Sequence, residues 1–289
     1  MEALAVAGVD ELRATIAAAE AVVPVGGRTH WEVGGPPPRG VEVRAREGVL
    51  AYDPAELTVT VGAGSTVADL AARLADAGQE CALDPRDPGG ATVGGTLAAG
   101  LSGHRRLRYG PLRDRVLEVR FVTADGRIVK GGGPTVKNVS GYDLPRLLVA
   151  SLGTIGVLVQ VTLRCQPRPQ QTTWATTTDD PFDTRRRCYR PSCVAWDGEL
   201  THVLLEGHPD DVEAELRAAA LTAGAAPPAW PDGPHRGRIS VRPAMVRVLA
   251  GELGSIPGLR WTAEVGVGTV HVAGDDRAAL TAARRAAEA

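Results

Sequence analysis

The stretch from residue 84 to residue 103 constrains this chain more than any other. Its middle reads Asp87-Pro88-Gly89-Gly90-Ala91-Thr92-Val93-Gly94-Gly95-Thr96-Leu97-Ala98-Ala99-Gly100. So few side chains give little to bury. A run of this kind belongs where backbone must lie close against another backbone or a large ligand. If a helix opens near Gly94, the amides of residues 94–97 would turn its positive end toward a phosphate. A helix packed tightly through small residues accounts for the same letters without a ligand.

Two further segments share this character. Pro24-Val25-Gly26-Gly27-Arg28-Thr29-His30 reads as a short strand running into a turn. Consecutive glycine amides there can form a nest for an anion, and Thr29 adds a hydroxyl donor. Lys137-Asn138-Val139-Ser140-Gly141-Tyr142-Asp143-Leu144 and Ser151-Leu152-Gly153-Thr154-Ile155-Gly156-Val157 bracket a short helix and lead into a strand. No GxGxxG opens a helix, which disfavours a nicotinamide-type dinucleotide fold.

Around these segments the periodicity predicts ordinary elements. Helices are expected over 9–21, after Ser65 or Thr66 as cap, and over 143–151 with Leu144, Leu147 and Leu148 on one face. Strands are expected over 21–25, 48–52, 57–61, 116–123, 127–130 and 157–165. In the later strands Leu117, Val119, Phe121, Val157, Val159, Val161 and Leu163 should point inward, and Glu118, Arg120, Gln160, Thr162 and Arg164 outward. The prolines of Gln166-Pro167-Arg168-Pro169 mark a boundary, because neither can donate to a sheet ladder. Beyond it the chain restarts with strands over 203–206, 261–265 and 269–272 and helices over 210–223, 243–253 and 275–287. That pattern reads as a small α+β two-layer unit.

Composition narrows the function classes. The net charge of −2 argues against wholesale nucleic-acid binding. The four cysteines, Cys81, Cys165, Cys188 and Cys193, form no CxxC pair and read as reduced thiols rather than metal ligands. The acidic N-terminal stretch lacks the form of a secretory signal, and no apolar run suits a membrane span.

Taken together, the glycine segments resemble the FAD-binding domain of the vanillyl-alcohol oxidase and p-cresol methylhydroxylase family. The matching pieces include Gly26-Gly27-Arg28-Thr29, Ala91-Thr92-Val93-Gly94-Gly95, Arg113-Asp114-Arg115-Val116-Leu117, Thr123-Ala124-Asp125-Gly126, Gly141-Tyr142-Asp143-Leu144 and Gly153-Thr154-Ile155-Gly156-Val157. Within it the chain is most similar to the smaller FAD-binding subunits of bacterial glycolate oxidases, through Tyr52-Asp53-Pro54-Ala55-Glu56-Leu57 and the run from Lys137 to Leu147. The resemblance is strong over about residues 20–168 and weak beyond.

It implies an α+β fold: a two-subdomain FAD-binding domain over 1–168 and a small, truncated-looking α+β cap over 169–289. It assigns Val25, Gly26, Gly27, Arg28, Thr29 and His30 to the diphosphate turn. Pro85, Thr92, Gly94, Gly95, Ser102 and Gly103 would follow the diphosphate and flavin, with Ile155 and Val157 near adenine or ribose. Relatives often have a third glycine at Arg28, and some attach flavin through a histidine there. Arginine cannot do so, which favours non-covalent FAD.

In relatives that oxidise 2-hydroxy acids, the cap carries a His-x-Gly-Asp-Gly-Asn-x-His run serving metal or substrate. Here the run is Glu264-Val265-Gly266-Val267-Gly268-Thr269-Val270-His271. His271 remains as the catalytic candidate, and no metal is expected. The runs His104-Arg105-Arg106 and Arg108-Tyr109 offer guanidiniums to a carboxylate, or form a solvated basic loop.

The short cap would leave the flavin partly uncovered, for a partner to complete. The expectation is an FAD-binding oxidoreductase subunit acting on a 2-hydroxy acid such as glycolate. It would be cytoplasmic, touching membrane only through a partner, and assembled with a second flavoprotein subunit and an iron–sulfur subunit. The alternatives are a non-catalytic FAD-binding assembly or relay subunit, and a stand-alone sugar or alcohol oxidase.

Overall fold

The computed structural model describes residues 4–5, 8–36, 39–134 and 142–288. Lys137, Asn138, Val139, Ser140 and Gly141, singled out in the sequence, lie outside the described residues. The chain divides into two compact units: residues 1–103 with 111–168, and residues 104–110 with 169–289. Among the described residues no helix is long and apolar enough to cross a membrane.

The first unit begins with β1 (Leu4–Ala5), α1 (Val9–Ala18), β2 (Val22–Pro24) and β3 (Val41–Arg44). Next come β4 (Val49–Asp53), β5 (Thr58–Gly62), α2 (Val67–Ala75), β6 (Gln79–Glu80) and α3 (Val93–Ala99). The short α4 (Arg106–Tyr109) belongs with the second unit. The first unit resumes with β7 (Val116–Val122), β8 (Ile128–Gly132), α5 (Leu144–Leu148), β9 (Val157–Arg164) and β10 (Gln166–Pro167).

β1, β3 and β2 form a three-stranded parallel sheet, and β4-β5-β9-β7-β8 a five-stranded antiparallel one. β10 pairs only with β6, as its proline dictates. Thr66 rather than Ser65 caps α2, its hydroxyl accepting from the Asp69 amide at 3.0 Å. The buried α2 stripe of Val67, Leu70 and Leu74 joins Val59, Val61 and Leu163 in the main core. Leu12 and Ile16 of α1 pack with Val43, Val157 and Val159 in a second core.

Four of the expected facings need correction. Pairing of β7 with β9 shifts register between Val116 and Glu118 and again between Arg120 and Phe121. The shift buries Glu118, which pairs with Lys130 Nζ at 2.9 Å, and leaves Leu117 half-buried. β9 is covered on both faces, so Thr162 and Leu158 are buried along with the alternating valines. α5 stops at Leu148 because Val149 is extended, and Leu147 is 55% exposed instead of sharing a buried face.

The second unit adds β11 (Gln171–Thr177), α6 (Pro181–Arg187), β12 (Cys193–Trp196), β13 (Thr201–Gly207) and α7 (Pro209–Ala218). It continues through β14 (Thr222–Ala223), β15 (His235–Ser240), α8 (Val246–Gly254), β16 (Leu259–Glu264), β17 (Thr269–Gly274) and α9 (Arg277–Glu288). The strands form one antiparallel sheet ordered β14-β11-β13-β12-β16-β17-β15.

One sheet face is apolar and helix-covered. Val203 and Leu205 pack with Val212 of α7, and Ala263, Val270 and Val272 with Leu249, Leu253 and Ala283 of α8 and α9. The helix expected over 210–223 ends at Ala218: Ala220 takes a left-handed backbone and β14 pairs with β11. Residues 243–245 form a 3-10 turn that precedes α8.

Candidate functional site

The glycine segments of the first unit pack backbone to backbone. A methyl on Gly27 would overlap the Gly90 carbonyl oxygen, and one on Gly26 would overlap the Thr92 hydroxyl. Those two glycines are therefore required where the 26–30 turn meets the 87–92 loop, before any ligand is considered. Gly94 is likewise set against β5's end, where a methyl would lie 2.9 Å from both Ala63 Cβ and its carbonyl oxygen.

Gly95 differs. It is exposed, and a methyl there would have only the Thr92 hydroxyl within 4 Å, at 2.9 Å. The side of α3 that carries Gly95 faces two adjoining cavities of about 310 and 80 Å3. The larger approaches the lower end of the roughly 300–1,000 Å3 typical of small-molecule sites.

Gly26, Gly27, Arg28, Thr29, His30, Thr92 and Gly95 line the larger cavity, and Val25, Gly94 and Val157 the smaller. The structure thus brings together most of the residues that the sequence assigned to a cofactor. Pro85, Ser102, Gly103 and Ile155 line neither. Gly103 instead packs on Asp84, whose backbone is left-handed. Sequence reasoning left out Trp31, Val33, Leu152 and Gly153, which form an apolar wall of the larger cavity. Leu152 lay within a quoted motif, and its left-handed φ of 53° is the kind of signal that no side-chain pattern carries.

The helix-amide expectation is modified. Val93 N donates to Ser65 O, Gly94 N to Ala63 O, and Gly95 N to the Thr92 hydroxyl, at 2.8, 2.8 and 3.1 Å. The first-turn amides of α3 are thus engaged within the protein, and the helix contributes a bare surface rather than donors. The polar groups at the cavity include the Thr29 hydroxyl, the His30 ring 3.1 Å from it, and Arg28. A surface free of side chains beside a hydroxyl, an imidazole and a guanidinium fits a dinucleotide diphosphate.

Arg28 has φ of 56°, the left-handed region that favours glycine. This explains why a glycine suits the position. Its guanidinium forms an ion pair with Glu42 of β3 and lies 4.7 Å over the Trp31 ring.

In the second unit, the sheet face away from the α7, α8 and α9 cores is polar yet buried: His202, Glu206, Thr262, Glu264, Thr269 and His271 all lie inside. His271 Nε2 stands 3.7 Å from Glu264 Oε1, with the two side chains 6% and 3% exposed. Register sets Arg238 of β15 and Thr262 of β16 opposite His271. Arg238 is exposed by area, but protein crowds it enough that desolvation lowers its pKa from the ordinary value. The Arg106 charge adds to this, and Glu264 opposes it.

Trp230 meets the His271 ring edge-on at 4.6 Å and stacks on His104 at 4.0 Å. Arg105 Nε bonds Glu206 at 3.1 Å, and Arg108 bonds the Glu206 carbonyl. Two guanidiniums of the 104–110 run, expected to serve a carboxylate or solvent, are thus held inside the unit.

A resident metal does not fit here. Glu264 and His271 supply two donors, Val267 supplies none, and zinc sites take three or four protein ligands. Among the described residues no group of three or more His, Cys, Asp or Glu side chains is arranged to hold an ion.

Comparison with known proteins agrees with the first unit's geometry. Residues 3–132 match the FAD binding domain family. Glycolate oxidase subunit GlcE of Escherichia coli (strain K12) is 42% identical over 131 residues, covering 45% of this chain and 37% of that protein. A mitochondrial D-lactate dehydrogenase [cytochrome] of Arabidopsis thaliana is 36% identical over 152 residues, 52% of this chain and 26% of that one. A D-2-hydroxyglutarate dehydrogenase of Xanthomonas citri pv. viticola is 34% identical over 168 residues, 56% and 36% of the two chains. The matched stretch thus spans well under half of each of these relatives. A solved alkyldihydroxyacetonephosphate synthase shares the fold with a TM-score of 0.71 at 14% identity, over 99% of this chain and 70% of that one. The match to the FAD binding domain takes in a little under half of the chain, and it makes FAD the cofactor of this stretch.

Proposed function

We propose that this chain is an FAD-dependent oxidoreductase subunit acting in the oxidation of a small 2-hydroxy acid such as glycolate, with electrons passed to a partner. The observation that carries the reading is the glycine-faced cleft, most of whose lining falls in the stretch matched by the FAD binding domain. The relatives, a glycolate oxidase subunit and dehydrogenases of D-lactate and D-2-hydroxyglutarate, support the substrate class. The subunit name supports an assembly, which we take to include a second flavoprotein subunit and an iron–sulfur subunit.

Residues 1–168 are the cofactor domain, and residues 169–289 the cap that meets substrate or partner. Val25, Gly26, Gly27, Arg28, Thr29 and His30 hold the diphosphate. Thr92, Gly94 and Gly95 let the cofactor lie against α3, and Val157 borders it from the start of β9. Pro85, Ser102, Gly103 and Ile155 act from outside the cleft, by shaping its walls. FAD is held without a covalent bond, since Arg28 stands where some relatives attach it. When bound, FAD supplies the hydride acceptor. His271 Nε2 takes the substrate hydroxyl proton, and Glu264 gives the resulting imidazolium its counter-charge.

A second reading, a non-catalytic FAD-binding subunit for assembly or electron relay, is favoured by the replacements at Glu264 and Val267 and by the Trp230 ring against His271. Anaerobic addition of glycolate or D-lactate to the FAD-loaded chain, alone and with its co-expressed partners, separates the two. Bleaching of the flavin band that is lost in His271→Ala supports catalysis. Bleaching only by neutral sugars or alcohols overturns the substrate class. No bleaching under either condition leaves the second reading.

A further inference from the structure

Arg28 is the one residue of the diphosphate turn that is both backbone-strained and charged. A non-glycine residue at φ of 56° carries a conformational cost that the surrounding structure must offset. Two contacts hold that side chain: the Glu42 carboxylate and the face of Trp31 at 4.7 Å. Glu42 sits on β3, its side chain only 15% exposed, while the Arg28 side chain is 42% exposed and lines the larger cavity. A mostly buried carboxylate is therefore paired with a more exposed guanidinium at the cavity wall.

We propose that the Arg28–Glu42 ion pair is a resting latch: on cofactor binding the guanidinium exchanges the Glu42 carboxylate for an oxygen of the cofactor's diphosphate. Both partners are oxyanions that a guanidinium can grip through paired N–H donors, so the exchange conserves the kind of bond. Glu42 then has two effects. It keeps Arg28 ordered when the cleft is empty, and it competes with the diphosphate for the same cation. The competition lowers apparent affinity by the fraction of time Arg28 is held away. This rests on the reading of the 26–30 turn as the diphosphate site.

The test is equilibrium binding of FAD, and of ADP as a diphosphate probe lacking flavin, to the full apo chain. Arg28→Gly is the informative substitution, because glycine accepts φ of 56°, which offsets part of the loss of the Glu42 pair; the apo melting temperature is measured alongside, so that a change in binding is read on folded protein. The substitution should raise the Kd for both probes by about 10- to 100-fold, the range for a lost hydrogen bond to a charged group, and flatten the dependence of Kd on salt. Glu42→Gln should lower the Kd by about threefold or more. The double variant should match Arg28→Gly alone, since Glu42 acts only through Arg28.

If Arg28→Gly binds both probes as the parent does, the proposal is wrong. If Arg28→Gly weakens binding but Glu42→Gln does so too, Glu42 merely positions Arg28 and the exchange is refuted. If the parent chain takes neither FAD nor ADP, the diphosphate reading of the turn falls as well. Normal FAD loading with an unaltered Arg28→Gly isolates the failure to this inference.

Discussion

Replacing Gly95 by leucine separates a cofactor surface from a packing position, because the magnitudes at this residue point in opposite directions. Within α3, leucine is favoured over glycine by about 0.8 kcal/mol. The only atom a Cβ would meet within 4 Å is the Thr92 hydroxyl, at 2.9 Å. Displacing that hydroxyl endangers the cap bond to the Gly95 amide, worth about 1 kcal/mol. The two terms nearly cancel. Apo stability should change by less than about 1 kcal/mol, or roughly 2–4 °C in Tm for a protein of this size class.

Binding should change far more. Gly95 lines both cavities, so the leucine side chain enters the space the cofactor would occupy. A loss of at least about 100-fold in FAD affinity, close to 2.8 kcal/mol, is expected. The assay pairs thermal unfolding of the apo chain with a titration of FAD fluorescence quenching. Gly94→Leu is the contrast, because it must push against Ala63 and should lower Tm as well as cofactor content. Equal losses of stability and affinity in Gly95→Leu would refute the assignment and make Gly95 a packing glycine like its neighbour.

Three other outcomes are expected. Gly27→Val should lose fold and cofactor together, by about 2 kcal/mol or more in urea unfolding of the apo chain, because its Cβ overlaps the Gly90 carbonyl; unchanged apo stability would contradict this. Burial pushes the Cys165 and Cys188 thiols from 9.0 up to about 11, so both should resist a thiol reagent at pH 8 until the chain unfolds. The sign follows: stability from these thiols is complete below pH 9.0 and is lost as pH rises through about 11. Asp180 caps α6 and grips Arg247 through bonds of 2.7 and 2.8 Å, which hold its carboxyl below the usual value. Asp180→Ala should cost about 1–2 kcal/mol at neutral pH, and the difference from the parent should vanish as pH falls below the carboxylate range.

The glycine-faced cleft was legible because its requirement is written in what is missing. Where Gly27 meets Gly90 and Gly94 meets Ala63, a methyl has no room, so glycine in sequence reports backbone approach in space. Thr92 was readable for a related reason: a hydroxyl just before a helix accepts an orphan amide. Less legible were the residues whose role depends on backbone angle. Arg28 and Leu152 take positive φ without being glycine, and nothing in their side chains announces it. The 87–92 loop was readable as a close approach, but the occupation of the α3 amides by Ser65, Ala63 and Thr92 needed the three-dimensional path.

The second unit shows why alternation alone falls short. Alternating patterns assign one strand face to the core and the other to water. In β16 and β17 the apolar set does face the helices, yet Thr262, Glu264, Thr269 and His271 on the opposite side are buried as well. Their cover includes residues distant in sequence: Trp230 reaches His271, and His104 stacks on Trp230. β11, with Thr172, Thr173, Thr176 and Thr177, and the edge strand β15, with Arg236 and Arg238, carry too few apolar residues to be recognised locally; each is fixed by the neighbour it pairs with. A buried polar face of this kind costs desolvation unless its groups bond to one another. Glu206 meets that condition, engaged by Arg105 and Ser192. Glu264 meets it less well, since its Oε1 is buried without a hydrogen bond among the described residues, with the His271 imidazole 3.7 Å away. Strand alternation cannot show which of these buried carboxylates is fully bonded, because that depends on which side chains of other strands and loops reach it.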